Sequence, residues 1–206
     1  MHALLKLSKG IDWLNTLIGK YVIWLILAST VISGLNAVVR KAFNYSSNGF
    51  LEVQWYLFAA AFLLAAGYTL LQGEHVRVDV IASRLSKRAQ IWIDVFGFVF
   101  FLAPVCLVIL WYGIPFFIQG YTSHEMSSNA GGLVRWPVYL MMPIGFGLLL
   151  LQGLSELIKR IAFLQGLIDD PTAKKTEKTA EEELAESIRR LAEAAKGTGA
   201  RAPTAD

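Results

Sequence analysis

The sequence predicts an all-α integral membrane protein with four transmembrane helices. Its hydrophobic content of 55% and mean hydropathy of +0.48 exceed those of ordinary soluble domains. Only 17% of residues are charged, and they cluster at the chain ends and between apolar runs. This distribution is expected because a charge at the centre of a bilayer costs about 2.5 to 3.5 kcal/mol. Four apolar runs are long enough to cross a hydrocarbon layer about 30 Å thick.

The four predicted spans are apolar runs that comprise residues 20–39, 53–71, 91–118 and 136–158. The third run is long enough to tilt or to extend beyond the lipid. A cleaved signal peptide is the alternative for the first run. That run is longer than the roughly 7 to 15 apolar residues of a signal-peptide core, which favours a retained span.

Two segments outside the spans have their own patterns. Before the first span, apolar residues recur at helical spacing, at Leu4, Leu7, Ile11, Leu14 and Ile18. This spacing is typical of an N-terminal interfacial helix, and a short extension of the first span explains it equally well. Residues 1–168 form the predicted membrane domain. Residues 169–206 are rich in Lys, Glu, Thr and Ala, cannot bury a core, and are predicted to be a soluble, charged cytoplasmic tail that is partly helical or disordered.

Basic residues flank the spans unevenly. Most lie before the first span, between the second and third, or after the fourth: Lys6, Lys9, Lys20, Arg77, Arg84, Lys87, Arg88, Lys159 and Arg160. The opposite side carries Arg40, Lys41 and Arg135. Because Lys and Arg near spans favour the cytoplasmic side, we expect both termini to be cytoplasmic. The short amphipathic segment between the second and third spans is then cytoplasmic as well.

The sequence predicts neither an enzyme nor a cofactor or metal site. Its histidines, His2, His75 and His124, lie outside the spans, so no pair is placed to ligate a haem inside the bundle. A single cysteine, Cys106, excludes an intrachain disulfide or a thiolate metal cluster. No charged residue falls near the middle of a span, so we do not expect this chain to transport ions by itself.

The charge pattern also bears on partners. The formal net charge is +3, but the basic residues form no continuous stripe and lie beside apolar spans. This arrangement favours phospholipids with anionic head groups as partners and argues against nucleic acid.

Several stretches carry a resemblance to a known family. The second span opens with Glu52, Val53, Gln54 and Trp55, and the sequence GEHVRVDV follows that span at 73–80. Further on, SSNAGGL occupies 127–133 and MMPIG occupies 141–145. In this order, within a four-span chain, these stretches resemble the small permease subunit (four-span, Q-type) of TRAP transporters, the tripartite ATP-independent periplasmic transporters. The resemblance covers about residues 15–160.

The resemblance implies a function as well as a fold. It implies a sodium-driven uptake system for organic acids in the bacterial inner (cytoplasmic) membrane, in which a periplasmic solute-binding protein serves a separate large membrane subunit. The small subunit would be a scaffold that braces the large one. From the residues alone, the alternative is a membrane-anchor subunit of a redox or other enzyme complex. The sequence does not identify the solute.

The resemblance also implies positions for contacts with the large subunit or with lipid. Glu52 and Trp55 are expected at the outer membrane level. At the cytoplasmic level the expected contact residues are Glu74, His75, Arg77, Asp79, Arg84 and Arg88. An ordinary solvated loop beside the membrane is the alternative for this second group.

Overall fold

A computed structural model describes residues 2–45, 47–73 and 85–168. These ranges form four helices: α1 (His2–Phe43), α2 (Asn48–Gln72), α3 (Lys87–Thr122) and α4 (Trp136–Leu164). Each helix is long and apolar enough to cross a membrane, which confirms the predicted all-α, four-helix architecture. The predicted amphipathic segment after α2 falls mainly on residues 74–84, and the predicted tail on residues 169–206. Both lie outside the described residues.

Helix α4 is the centre of the bundle because it packs against each of the other three helices. Helices α1 and α2 pack on each other and on α4, whereas α3 packs mainly on α4. The α1–α2 and α3–α4 connections lie at one end of the bundle, which we call the loop end. The start of α1 and the end of α4 lie at the other end, which we call the terminal end.

Helix α1 is continuous over 42 residues, or about 63 Å at 1.5 Å per residue. No break separates the N-terminal segment from the first span, so the segment extends that span and is not a separate interfacial helix. The buried face coincides with the predicted apolar row only in part, at buried Ile11. Leu4 and Leu7 are exposed, whereas Ser8 and Asn15 are buried. Lipid solvates apolar side chains, so the polar side chains of a membrane helix turn toward neighbouring helices.

Small residues allow close approach of the helices. A Cβ atom added to Gly145 of α4 would lie 2.7 Å from the carbonyl oxygen of Leu63 in α2. A Cβ atom on Gly153 would overlap the side chain of Leu102 in α3. The α2 and α4 backbones therefore meet at Gly145, and the Leu102 side chain packs on the α4 backbone at Gly153, as is common where small residues occupy membrane-helix interfaces.

Helix α3 contains one π-helical turn, Phe98–Leu102, between two α-helical parts. The turn ends two residues before Pro104, which has no N–H to donate to the carbonyl four residues earlier. The N–H of Ala103 instead bonds to the carbonyl of Phe98, five residues back. Proline thus explains the widened turn, which carries Leu102 against Gly153.

Replacing Gly145 with Leu is expected to destabilise the bundle, because the new side chain would collide with the α2 backbone at Leu63. Overpacking of this kind costs about 1 to 3 kcal/mol. Gly147→Leu is the matched control, since a Cβ there meets nothing within 4 Å. Thermal denaturation in detergent should show a lower midpoint for Gly145→Leu than for Gly147→Leu. Equal midpoints would contradict the close α2–α4 contact.

Candidate functional site

At the loop end, α2 carries a buried carboxylate. Glu52 is 2% exposed, and it faces the connection between α3 and α4. Its Oε2 accepts a hydrogen bond from the backbone N–H of Leu133 at 2.6 Å. Its Oε1 accepts hydrogen bonds from the Asn129 amide at 2.9 Å and from the Ser127 hydroxyl. Three donors from one loop therefore compensate the loss of water around this charge.

Two neighbours of Glu52 on the same face of α2 hold the same loop. The Asn48 amide donates to the carbonyl of Ala130 at 2.9 Å, and the Tyr56 hydroxyl donates to the carbonyl of Val134 at 3.1 Å. Residues four apart lie on one helix face, so Asn48, Glu52 and Tyr56 form one row. This row and its loop partners are called the Glu52 cluster below.

The loop itself has a defined conformation. The backbone N–H of Ser127 bonds to the carbonyl of Leu133 at 2.9 Å, and Met126 and Val134 form an antiparallel bridge. Gly131 has φ of +71°, a left-handed conformation that favours glycine. A Cβ atom on Gly132 would lie 2.5 Å from that of Ser127. The SSNAGGL stretch is thus folded around the carboxylate that α2 presents.

A second contact closes the base of the loop. The carboxylate of Glu125 pairs with the Arg135 guanidinium at 3.3 Å and accepts a hydrogen bond from the Tyr139 hydroxyl at 2.8 Å. Hydrogen bonding with Tyr139 raises the pKa of Arg135 above its ordinary value. Gly120 leaves room for the Tyr139 ring, since a Cβ there would lie 2.5 Å from it. The loop therefore starts and ends on a fixed contact between α3 and α4.

The predicted contact residues have different positions. Glu52 uses its carboxylate within the chain, so it shapes the loop surface rather than presenting a free charge. Trp55 is 48% exposed, and its ring contacts the Tyr56 ring edge-on, with 4.5 Å between the centroids. Arg88 is exposed near the start of α3, at the terminal end. The other predicted residues lie outside the described ranges: Glu74, His75, Arg77, Asp79 and Arg84.

At the terminal end, α4 holds α1 through an aspartate. Asp12 Oδ1 accepts hydrogen bonds from the Ser155 hydroxyl at 2.7 Å and from the Gln152 amide at 2.9 Å. Lys159 places its ammonium 3.1 Å from Asp12 Oδ2. The hydroxyls of Ser8 and Ser155 are hydrogen-bonded at 2.7 Å. The start of α1 is therefore tied to the last turns of α4 by charge and by hydrogen bonds.

The same stretch of α4 also holds α3. Arg160 is 3% exposed, and its Nε donates to Asp94 Oδ2 at 2.9 Å. Its Nη1 pairs with the buried carboxylate of Glu156, which also pairs with Lys159. The guanidinium carbon lies 4.8 Å from the centroid of the Phe98 ring, a cation–π geometry. Lys159 and Glu156 thus join the α1 contacts to the α3 contacts in one terminal-end network.

Asn15 marks the point where three helices meet. It is 0% exposed and donates to Gln152 Oε1 at 3.0 Å. Its Oδ1 lacks a hydrogen-bond partner and lies against Gly67 of α2, where a Cβ atom would overlap it. A glycine at 67 is therefore what allows α1, α2 and α4 to converge here.

Sequence reasoning missed the terminal-end network. It assigned Lys159 and Arg160 to membrane orientation, and it did not predict that Asp12 and Asn15 contact α4. The available signal was spacing: relative to Gln152, the polar residues Ser155, Glu156 and Lys159 lie three, four and seven positions later, which places all of them on one helix face. Such a polar row on an otherwise apolar helix indicates a buried face when the surroundings are lipid.

The described residues are suited to holding helices together. Within them, no group of three or more His, Cys, Asp or Glu side chains could hold a metal ion. The carboxylates of the terminal-end network are instead paired with Lys159 and Arg160. In this arrangement the carboxylates and the two cations compensate one another's buried charge.

Comparison with known proteins gives one family. A family described as "Tripartite ATP-independent periplasmic transporters, DctQ component" matches residues 29–163. No curated protein and no solved structure matches the chain. The matched region contains the Glu52 cluster and the α3 and α4 residues of the terminal-end network. Asp12 and Asn15 precede it.

Replacing Glu52 with Ala is expected to loosen the 123–135 loop, because Ser127, Asn129 and the Leu133 N–H lose a common acceptor. Hydrogen exchange at the Leu133 amide should accelerate on the order of tenfold or more. Phe62→Ala is the control on the same helix, since Phe62 is exposed and lies ten residues from Glu52, and it should leave this amide unchanged. Slow exchange at Leu133 in the Glu52→Ala variant would show that the carboxylate does not hold the loop.

Replacing Arg160 with Gln is expected to destabilise the protein by up to about 3 to 5 kcal/mol, because buried Glu156 loses the Arg160 guanidinium and is left with Lys159, and Asp94 loses its ion pair with Arg160. The double variant Glu156→Gln/Arg160→Gln should recover part of that loss, since it also removes the carboxylate that has lost one of its cations. Denaturation of both variants in detergent gives the comparison. A double variant no more stable than Arg160→Gln would argue against a buried ion pair at this position.

Proposed function

Because the chain belongs to the family of DctQ components of the tripartite ATP-independent periplasmic transporters, we propose that it is the scaffold subunit of such a transporter. In this role it braces a large membrane subunit in the bacterial inner membrane. The observation that carries the proposal is the family match over residues 29–163, which takes in most of the four-helix bundle. The family is one of transporter components and not of enzymes.

Support for the bracing role comes from where the polar contacts lie. At the loop end, the Glu52 cluster fixes α2 to the α3–α4 loop. At the terminal end, the network around Arg160 and Asp12 fixes α3 and α1 to α4. These polar contacts at both ends of the bundle oppose sliding of the helices past one another. Such a body suits a support against which another subunit moves.

Support for a partner that performs the transport comes from the spans themselves. Residues 21–39, 53–71, 95–122 and 136–155 contain no Asp, Glu, Lys or Arg. Secondary transporters place ion and substrate sites near the bilayer midplane, often with ionisable groups that mark the pathway. This chain contributes none at that depth, so in our proposal the solute and the coupling ion pass through the large subunit.

The proposed system has three components and is driven by an ion gradient. A periplasmic solute-binding protein would capture the solute and deliver it to the large membrane subunit. The family is ATP-independent by its description, which leaves an ion gradient as the natural energy source. We propose sodium as that ion and organic acids as the solutes, on the resemblance of the EVQW, GEHVRVDV and SSNAGGL stretches to small TRAP permease subunits.

The proposed orientation puts the terminal end in the cytoplasm. Basic residues are more frequent there than at the loop end, and Lys and Arg near spans favour the cytoplasmic side. Both termini are then cytoplasmic, and the Glu52 cluster faces the periplasm, from which a loaded binding protein would approach. Trp55 and the exposed Met126 lie at that end as contact residues. Glu74, His75, Arg77, Asp79, Arg84 and Arg88 remain proposed contacts at the cytoplasmic end.

Reconstitution of the components tests this proposal. Proteoliposomes with this chain, the large subunit and the binding protein should take up an organic acid when an inward sodium gradient is applied. Vesicles with this chain alone should show no uptake, because its spans carry no ionisable group at the midplane. Radiolabelled solute counts the uptake. Transport by this chain alone, or full transport without it, would contradict the scaffold role.

A further inference from the structure

Helix α1 projects beyond α2 at the loop end. The Ser29 hydroxyl of α1 donates to the Gln54 carbonyl of α2 at 2.9 Å, so these two residues lie at about the same level. From that level α2 extends six residues to its start at Asn48, or about 9 Å, whereas α1 extends fourteen residues to Phe43, or about 21 Å. The last turns of α1 therefore rise up to about 12 Å past the start of α2.

The connection back to α2 is short. Asn44 has φ of +50°, so the backbone turns directly after α1 ends. Five residue steps lead from Phe43 to Asn48, and they reach at most about 17 Å, which is enough to cover the difference in height. Tyr45 is exposed in this connection. Residues 38–45, which form the projecting part, are called the α1 tip below.

The α1 tip lies beyond the lipid. The Asn48 amide bonds to the Ala130 carbonyl, so the start of α2 is level with the middle of the 123–135 loop. The Glu125–Arg135 ion pair at the base of this loop keeps the loop out of the hydrocarbon. A head-group layer is about 5 to 7 Å thick, less than the rise of the α1 tip above the start of α2. The tip therefore extends past the head groups into water.

The exposed side chains of the α1 tip are basic and aromatic. Arg40 and Lys41 are exposed in the last turn of α1, and neither has an ion pair with a residue that the structure describes. The helix dipole stabilises such cations by about 0.3 to 1 kcal/mol and does not neutralise them. Phe43 is 76% exposed and Tyr45 is 60% exposed. Arg and aromatic side chains are enriched at protein–protein interfaces, where they contribute much of the binding energy.

The carboxylates of the loop end are already compensated. Glu52 accepts three hydrogen bonds from the 123–135 loop, and Glu125 pairs with Arg135. The other acidic residues that the structure describes belong to the terminal-end network. This part of the chain therefore offers no carboxylate to Arg40 and Lys41, and a partner that complements the α1 tip has to be acidic.

We propose that the α1 tip binds an acidic surface patch of the solute-binding protein. The proposal rests on the proposed function, which places the loop end in the periplasm. The partner is water-soluble because the tip lies beyond the head groups, and its contact buries the rings of Phe43 and Tyr45. Arg40 and Lys41 steer its approach by an attraction that weakens with salt. Such a contact suits a protein that leaves after it has delivered its solute.

Charge reversal tests the contact. Arg40→Glu/Lys41→Glu should raise the Kd of the solute-loaded binding protein for the transporter in nanodiscs about tenfold at low salt, mainly through slower association. Surface plasmon resonance measures both. Lys6→Glu/Lys9→Glu is the matched control, since it makes the same change of charge at exposed residues near the other end of α1. It should keep the Kd of the unmodified transporter. Equal Kd values for the two variants would overturn the proposal.

Two further measurements identify the partner of the tip. In nanodiscs of phosphatidylcholine alone the difference in Kd should persist, and it should shrink as the salt concentration rises from about 50 to 500 mM. A difference that requires phosphatidylglycerol would show that the cations act through lipid and would overturn the proposal. Phe43→Ser should also raise the Kd, while the salt dependence stays that of the unmodified transporter. An unchanged Kd for Phe43→Ser would contradict burial of this ring.

These measurements separate the α1 tip from the scaffold role. Co-purification of the large subunit with Arg40→Glu/Lys41→Glu shows that the variant still assembles. If that complex takes up solute and binds the binding protein with an unchanged Kd, the scaffold role stands and the contact at the tip is wrong. If the large subunit transports fully without this chain, the scaffold role is wrong whatever the Kd.

Discussion

Neither the carboxylate of Glu156 nor the guanidinium of Arg160 can be solvated by hydrocarbon, so the protein has to compensate each of them. Helix α4 does this within one turn by pairing the two with each other. The remaining donors and acceptors reach Asp94 on α3 and, through Lys159, Asp12 on α1. The need to satisfy buried charge thereby fixes the positions of three helices, which explains why α4 is the centre of the bundle.

The loop end meets the same requirement with one carboxylate. Glu52 is satisfied by donors from the α3–α4 loop and not by a cation, so the loop has to fold around it. Between the two ends most contacts are apolar or between small residues, such as Gly145 against Leu63, and the Ser29 hydroxyl of α1 donates to the Gln54 carbonyl of α2. The bundle is therefore held together by polar contacts at its two ends, and the part between them offers no charged group to an ion. This arrangement supports the scaffold role that we propose.

The fold was predictable because its strongest signals are local. Apolar runs of sufficient length and basic residues between them predict four helices and their order. The length of α1 was not predictable in this way, since Lys6, Lys9, Asp12 and Lys20 interrupt the apolar run without interrupting the helix. Hydropathy reports what faces lipid, and it does not report helical continuity past the membrane surface.

The candidate site was predictable in part. The resemblance singled out Glu52 and the SSNAGGL stretch. It did not show that this stretch hydrogen-bonds to Glu52, because the bonded residues are 75 to 81 positions apart in the chain. The terminal-end network was missed because each of its residues has an ordinary role when taken alone. Lys159 and Arg160 satisfy the charge rule for orientation, and Asp94 and Glu156 lie near the ends of predicted spans. Only the packing of α1, α3 and α4 shows that these charges are partners.

The central claim is that this bundle stays rigid while a partner moves. Spin labels on cysteines at the exposed positions Leu35 of α1 and Tyr112 of α3, with Cys106 replaced by Ala, report the distance across the bundle in the assembled transporter. Pulsed electron spin resonance should give the same distance distribution with and without solute-loaded binding protein and sodium. A change of several ångströms between these conditions would contradict the account, because it would make this chain a moving part.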